Sequence, residues 1–188
     1  VVSRGEVMYD LDVTYPAGIS GTLTDGQRQI IDISDLLTNS TDSYQTVTYR
    51  FRPYIQGKPG DPTCLDGVEI MIAIHVEPTA RVALTLADNE LCNGESVNIQ
   101  LSTVTTAYQG LEFNVDAINS YPEITGFTDR NGLIVSDIIT EALTNSGDTA
   151  RIVTYVVSPV TLDVNGNQKC YGINDTVRVW VNPTPRAT

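Results

Sequence analysis

The sequence predicts an all-β chain made of two antiparallel β-sandwiches in tandem, and three observations carry that prediction. Short apolar runs alternate with polar residues at a period of two, the signature of strands with one buried face. The string Leu-Thr-Asn-Ser occurs at Leu37–Ser40 and returns at Leu143–Ser146, an offset of 106 residues that brings further matches with it. The 188 residues are 41% hydrophobic and only 18% charged, a balance that favours a folded β chain over disorder.

The same offset aligns Tyr15-Pro16 with Tyr121-Pro122, Asp25-Gly26 with Asn131-Gly132, and Val47-Thr48-Tyr49 with Val153-Thr154-Tyr155. It also aligns Pro53 with Pro159 and Cys64 with Cys170, and after a one-residue adjustment Val76-Glu77-Pro78-Thr79 falls on Val181-Asn182-Pro183-Thr184. A self-match this regular marks a tandem repeat. The frame predicts a complete unit over 80–184, a first unit over 1–79 that lacks its N-terminal strands, and the start of a following repeat at 185–188. On this reading the chain is a piece of a longer repeat protein.

Within the complete unit, Val82, Leu84 and Leu86 predict a first strand, Val97, Ile99 and Leu101 a second, and Leu111, Phe113 and Val115 a third. A turn is expected at Asn131-Gly132, a dipeptide that tolerates positive φ. Later strands are expected at 138–143, 152–160 and 176–181. About seven short strands in roughly 105 residues fit an immunoglobulin-like sandwich. The repeat also predicts the buried faces: Val47, Tyr49 and Phe51 in one copy, Val153, Tyr155 and Val157 in the other. In the last strand of the first copy, Val68, Ile70, Ile72, Ile74 and Val76 should face one way.

Asp and Glu total 23 against 11 Lys and Arg, for a formal charge of -12. Such a chain repels phosphate backbones, which argues against nucleic-acid binding, and no apolar run is long enough to insert as a membrane helix. The repeat frame places Cys92 and Cys170 in one unit and predicts a disulfide between them, with Cys64 unpaired because its partner precedes the chain; three reduced thiols are the alternative. No close Cys or His pair supplies zinc ligands at finger spacing.

Several strings together resemble a known family. Leu143–Ser146, Val153–Tyr155, Pro159, Cys170-Tyr171-Gly172 and Val179–Pro185 are similar to the PKD-like repeats of Bacteroidetes surface proteins, and Leu91-Cys92-Asn93-Gly94-Glu95 resembles that family's cysteine-glycine approach to its second strand. The first copy follows at Leu37–Ser40, Val47–Tyr49, Pro53 and Cys64, but has Asp66-Gly67 where the second has Gly172. The resemblance implies repeats strung in secreted giant adhesins, including gliding-motility adhesins exported by the type IX system. It implies an extracellular, cell-surface stalk whose partners are neighbouring repeats of the same chain. Asp148-Thr149-Ala150 and Asp175-Thr176-Val177 resemble the family's O-glycosylation sites, with Thr149 in a loop the better candidate.

The residues offer little for catalysis. The single histidine, His75, is expected on the outward face of a strand, at the position Trp180 holds in the other copy. No cofactor is expected. Calcium is the one ion the acidic composition leaves open, with Asp32, Asp35, Asp137, Glu141 and Asp88-Asn89-Glu90 as oxygen donors but no ordered ligand spacing. The leading expectation is a non-catalytic structural or adhesive segment, stiffened by Pro78 between its units. Two alternatives are a module binding a surface polysaccharide or protein, with Tyr108, Tyr121 and Trp180 available for stacking, and a strand-exchanging filament subunit.

Overall fold

A computed structural model of the chain describes residues 5–31, 33–58, 63–64 and 67–186. Asp32 and Asp66 lie outside the described residues, as do two residues of the expected following repeat, Ala187 and Thr188. The chain forms two compact units, Val1–Pro78 and Thr79–Thr188. No helix occurs among the described residues, and every regular element is a strand. The fold is an all-β sandwich architecture, as the alternation predicts.

Unit 1 contains β1 (Glu6–Thr14), β2 (Ile19–Ser20), β3 (Gly26–Arg28), β4 (Thr38–Asn39), β5 (Gln45–Gln56) and β6 (Ile70–Val76). Its antiparallel sheet has the order β3-β1-β5-β6, with β2 and β4 paired apart from it. Unit 2 contains β7 (Ala83–Leu86), β8 (Glu90–Leu91), β9 (Ser96–Ser102), β10 (Leu111–Ile118), β11 (Ile124–Thr125) and β12 (Arg130–Leu133). It continues with β13 (Ile138–Ala142), β14 (Thr144–Asn145), β15 (Arg151–Leu162), β16 (Gln168–Tyr171) and β17 (Asp175–Val181). One sheet runs β12-β10-β15-β17-β8, with β16 also on β15, and a second runs β13-β9-β7.

The long strands follow from their composition. β15 is dense in β-branched and aromatic residues, and Val153, Tyr155 and Val157 alternate inward with no exposure. Val47, Tyr49 and Phe51 do the same in β5. Facing β15 in unit 2, Val97, Ile99 and Leu101 of β9 and Ile139 of β13 close the core, with Phe113, Val115, Leu143, Val179 and Val181. Burying each of these side chains stabilises the unit by about 1.5–3 kcal/mol. Pro159 sits within β15 without a broken ladder: β17 pairs with β15 only through Val157, and β16 begins at Val160. The missing N–H therefore falls in the gap between two partner strands.

Three local expectations are corrected. Asn131-Gly132 is not a turn; it lies inside β12, where the ladder with β10 slips register and Gly132 holds φ 74° in the bulge. The Asp25-Gly26 match is also displaced, because the structural counterpart of Asp25 is Asp129: each carboxylate accepts from a backbone N–H, of Val13 at 2.7 Å and of Ala117 at 2.8 Å. In β6, Ile70, Ile72, Ile74 and Val76 share one face as expected, but Val68 precedes the strand, and Ile70 and Ile74 are exposed on that face. Unit 1 has one large sheet and, among its described residues, no counterpart of β13-β9-β7 to lie over that edge.

Candidate functional site

The repeat concentrates its polar chemistry at two positions, buried in unit 2 and half-buried in unit 1, and the Leu-Thr-Asn-Ser string supplies one of them. Leu143 enters the core with no exposure, and Asn145, two residues on, is 1% exposed. Its side-chain N–H2 donates to the carbonyls of Thr149 at 2.9 Å and Val181 at 2.8 Å, while its Oδ1 accepts from the Gly147 N–H at 2.9 Å. Asn39 repeats the pattern, donating to Ser43 and Val76 at 2.9 Å each and accepting from the Thr41 N–H at 2.9 Å. In each unit one amide thus ties the loop after the string to the last residue of the closing strand. Asn93 extends the tie in unit 2, its Oδ1 accepting from the Asn145 N–H at 2.7 Å.

The second position is a carboxylate held against a tyrosine hydroxyl, half-buried in unit 1 and buried in unit 2. Asp35 accepts from Tyr49 Oη at 2.7 Å, Tyr15 Oη at 2.6 Å, and the Thr22 backbone and hydroxyl. Glu141, 6% exposed, accepts from Tyr155 Oη at 2.8 Å, the Thr128 N–H and hydroxyl, and the Arg130 guanidinium at 3.1 Å. Asp35 and Glu141, Tyr49 and Tyr155, and Thr22 and Thr128 correspond at the 106-residue offset. The two copies differ in the extra donor, a second tyrosine in unit 1 and an arginine in unit 2. A carboxylate withdrawn from water needs such a full set of donors.

The electrostatics follow. Burial pushes the Asp35 carboxyl up, but hydrogen bonds from Tyr15, Tyr49 and Thr22 outweigh it and hold the group well below the usual carboxylate range. Burial, then the bond to Asp35 and its negative charge, raises Tyr15 to about 12 and also raises Tyr49. Tyr155 is raised by burial first and by Glu141 second. These groups keep one protonation state across the neutral range, which suits a structural pin and not proton transfer. Their protein donors occupy the carboxylates of Asp35 and Glu141, two of the oxygen groups considered for calcium. Among the described residues no three Asp, Glu, His or Cys side chains gather as a metal site.

The expected Cys92–Cys170 disulfide is overturned. All three cysteines are exposed free thiols. Cys92 follows Leu91, which pairs with Val181 opposite Arg151, whereas Cys170 pairs with Thr161. Arg151 and Thr161 are the two ends of β15, separated by about 33 Å at roughly 3.3 Å per residue, and a disulfide needs Cα atoms within about 7 Å. Cys64 bridges Ile55 as Cys170 bridges Thr161, so the two occupy one repeat position. The account of Cys64 as a thiol that lost a Cys92-type partner fails for the same reason.

The remaining candidates do not converge. His75 sits in β6 with Nδ1 2.9 Å from Thr46 Oγ1 and its ring edge-on to Tyr44. Tyr121 stacks on the Arg151 guanidinium at 4.3 Å, at one end of β15. Trp180 pairs with Ile152 on the alternate face, and Tyr108 lies near Gly110, whose carbonyl meets Leu162 at the far end. The three aromatics form no common platform. Thr149 is exposed in the bend between β14 and β15, with its backbone carbonyl held by Asn145; Thr176 is in β17.

The sequence marks the string and the tyrosines, but presents Asp35 and Glu141 only as acidic oxygen donors without ordered ligand spacing. Their equal spacing from Tyr49 and Tyr155 is the signal that identifies them. The Tyr15-Pro16 echo misleads in the opposite sense: the following turn is closed onto the Pro16 carbonyl in unit 1 and onto that of Tyr121 in unit 2. The strings are one position out of structural register, and Tyr15 points to Asp35 while Tyr121 meets Arg151.

Residues 89–185 match the family model described as a PKD-like domain. No curated protein matches the sequence. Among solved structures, the S-layer protein SbsC domains 4 and 5 align with 94% of this chain and 70% of that one, at 11% identity and a TM-score of 0.34.

Proposed function

Because the chain belongs to the family of PKD-like domains, we propose that it serves as a non-catalytic, load-bearing repeat segment of an extracellular surface protein. The observation that carries this reading is the course of the chain at the start of unit 2. Ala80 accepts from the Ile173 N–H at 2.8 Å, and Arg81 forms a parallel bridge with Ile173. Further on, β8 lies parallel to β17, with Trp180 N–H donating to Asn89 and Asn182 N–H to Leu91, each at 2.8 Å. The front segment and the closing strand of the unit therefore run the same way, side by side.

Tension applied through the two ends of the unit loads these parallel segments in shear, so their hydrogen bonds resist together and do not open singly. Gly172 permits the close approach, since a Cβ there would strike the Ala80 carbonyl. Asn145 ties the end of β17 to the neighbouring loop. The finer reading is a semi-rigid stalk of a secreted adhesin of the Bacteroidetes gliding-motility type, with neighbouring repeats and a surface polysaccharide or protein as partners. It is supported by the strings that resemble that group's repeats. A polysaccharide site built on Tyr108, Tyr121 and Trp180 gains no support, because those rings lie apart.

Single-molecule stretching of the full chain from its two ends tests the reading. Two unfolding events are expected, the later one from unit 2, and Ile173→Pro, which removes the donor to Ala80, should lower its force. An unfolding force for unit 2 unaffected by that change would overturn the load-bearing assignment.

A further inference from the structure

In unit 2 one thiol lies near the stretch that opens the unit and another beside the stretch that closes it. The opening stretch runs parallel to the approach to β17: Arg81 bridges Ile173, the Ile173 N–H donates to the Ala80 carbonyl at 2.8 Å, and a Cβ on Gly172 would strike that carbonyl. Cys170, exposed, stands three residues before Ile173. At the closing end β8 runs parallel to β17 with Leu91 opposite Val181, and the Asn182 N–H donates to the Leu91 carbonyl at 2.8 Å. Cys92 is the next residue. It is exposed and lines a cavity with Asn93 and residues 182–185, where the Asn93 amide donates to Thr184 Oγ1 at 2.7 Å.

The opening and closing stretches correspond in sequence, since Thr184-Pro185-Arg186 falls on Thr79-Ala80-Arg81 at an offset of 105. In a chain of such repeats the stretch that closes one unit opens the next. Two registers then fall on that one stretch. Leu91 opposite Val181 carries Cys92 to the level of Asn182. Arg81 opposite Ile173 carries Cys170 to the level three residues before the arginine, which in the closing stretch is Pro183. The two levels are one residue apart, about 3.3 Å along an extended chain. We propose that Cys92 forms a disulfide with the thiol at the Cys170 position of the repeat that follows it, fastening successive units across their shared stretch. The inference rests on the chain being a repeat segment of an extracellular protein, where an oxidising medium preserves such bonds. Cys64 occupies the Cys170 position in a second repeat, bridging Ile55 as Cys170 pairs with Thr161. Bridging needs Cα atoms within about 7 Å, so the bond also requires both flanking segments to lie on one edge of the stretch. The two thiols give up two protons and two electrons to a small disulfide such as glutathione disulfide, which leaves as two thiols.

The test uses the full chain extended by one repeat: residues 1–184 followed directly by residues 80–188, with Cys170→Ser in the first copy of unit 2 and Cys92→Ser in the second. The protein is oxidised with glutathione disulfide at micromolar concentration and mapped without reduction. One bond from Cys92 of the first copy to Cys170 of the second is expected, with Cys64 left open to alkylation. It should exceed cross-links between molecules by roughly a hundredfold or more, because the tether sets an effective concentration near millimolar. Four Gly-Ser residues inserted after residue 184 should lower its yield. If the extended protein does not fold, Thr79→Cys in the 188-residue chain decides the matter, since the register sets position 79 beside Tyr171 and a bond from there to Cys170 is expected. No bond in the protein that folds, cross-links shared equally with Cys64, or a yield indifferent to the insertion would each overturn the proposal. A missing bond beside an unfolding force that Ile173→Pro still lowers would overturn the inter-repeat disulfide alone and leave the load-bearing reading standing.

Discussion

The side-chain amide of Asn145 donates to the Val181 carbonyl at 2.8 Å, and that of Asn39 donates to the Val76 carbonyl at 2.9 Å. The same bond is thus made in both units at the residue where the closing strand ends. Asn145 is fully enclosed whereas Asn39 is half-buried, so the two ties differ in how much water can replace them. Asn145→Ala, which strands two carbonyls and one N–H, should destabilise unit 2 by about 2–4 kcal/mol, and Asn39→Ala should cost unit 1 less than half as much. Urea denaturation followed separately for each unit checks the order; equal losses would contradict it.

Tyr155→Phe removes one of four donors from a carboxylate that remains buried. A loss of about 1–3 kcal/mol is expected, with Arg130 and Thr128 retaining the fold. Glu141→Gln in the same background should recover part of it, because an uncharged amide needs fewer donors. A double-mutant cycle in denaturant measures that coupling.

Stability should be flat across neutral pH and fall on both sides. Asp35 titrates below its ordinary value when folded, so its contribution is complete above about pH 4 and is lost as the pH falls from there toward the folded value. Tyr15 titrates near 12 when folded against about 10 unfolded. Its contribution, with those of Tyr49 and Tyr155, is therefore complete below pH 10 and declines as the pH rises through 12. Asp35→Asn should move the alkaline decline of unit 1 to lower pH. Denaturation midpoints measured from pH 2 to 12 read both limbs.

Cys92 and Cys170 should each be alkylated by a thiol reagent without prior reduction, under native conditions, with Cys64 reacting too. Peptide mapping gives three modified sites. Replacing Cys92 and Cys170 together by Ser should change the melting temperature little, since each side chain is exposed and neither closes a loop.

Gly172→Val places a Cβ against the Ala80 carbonyl and should pry the front segment from β17. A loss of about 1–3 kcal/mol is expected, as for other overpacked sites, together with a lower unfolding force. A change confined to thermal stability, with the force intact, would separate the close approach from load bearing.

Alternation and repetition in the sequence determined the fold class, the long strands and their inward faces. Val47-x-Tyr49-x-Phe51 and Val153-x-Tyr155-x-Val157 could be read directly, because a strand's period of two is a local property and burial leaves it written in consecutive residues. The repeat frame followed for the same reason. Tertiary structure alone decided which distant groups meet. It placed Asp35 and Glu141 under tyrosines 14 residues away in sequence, made Asn39 and Asn145 ties to closing strands, and set Cys92 and Cys170 at opposite ends of β15. Hydrogen bonding and packing depend on the folding of β7, β9, β15 and β17 in three dimensions, and a one-residue shift between copies, invisible in matching letters such as Tyr15-Pro16 and Tyr121-Pro122, is enough to give the same residues different partners.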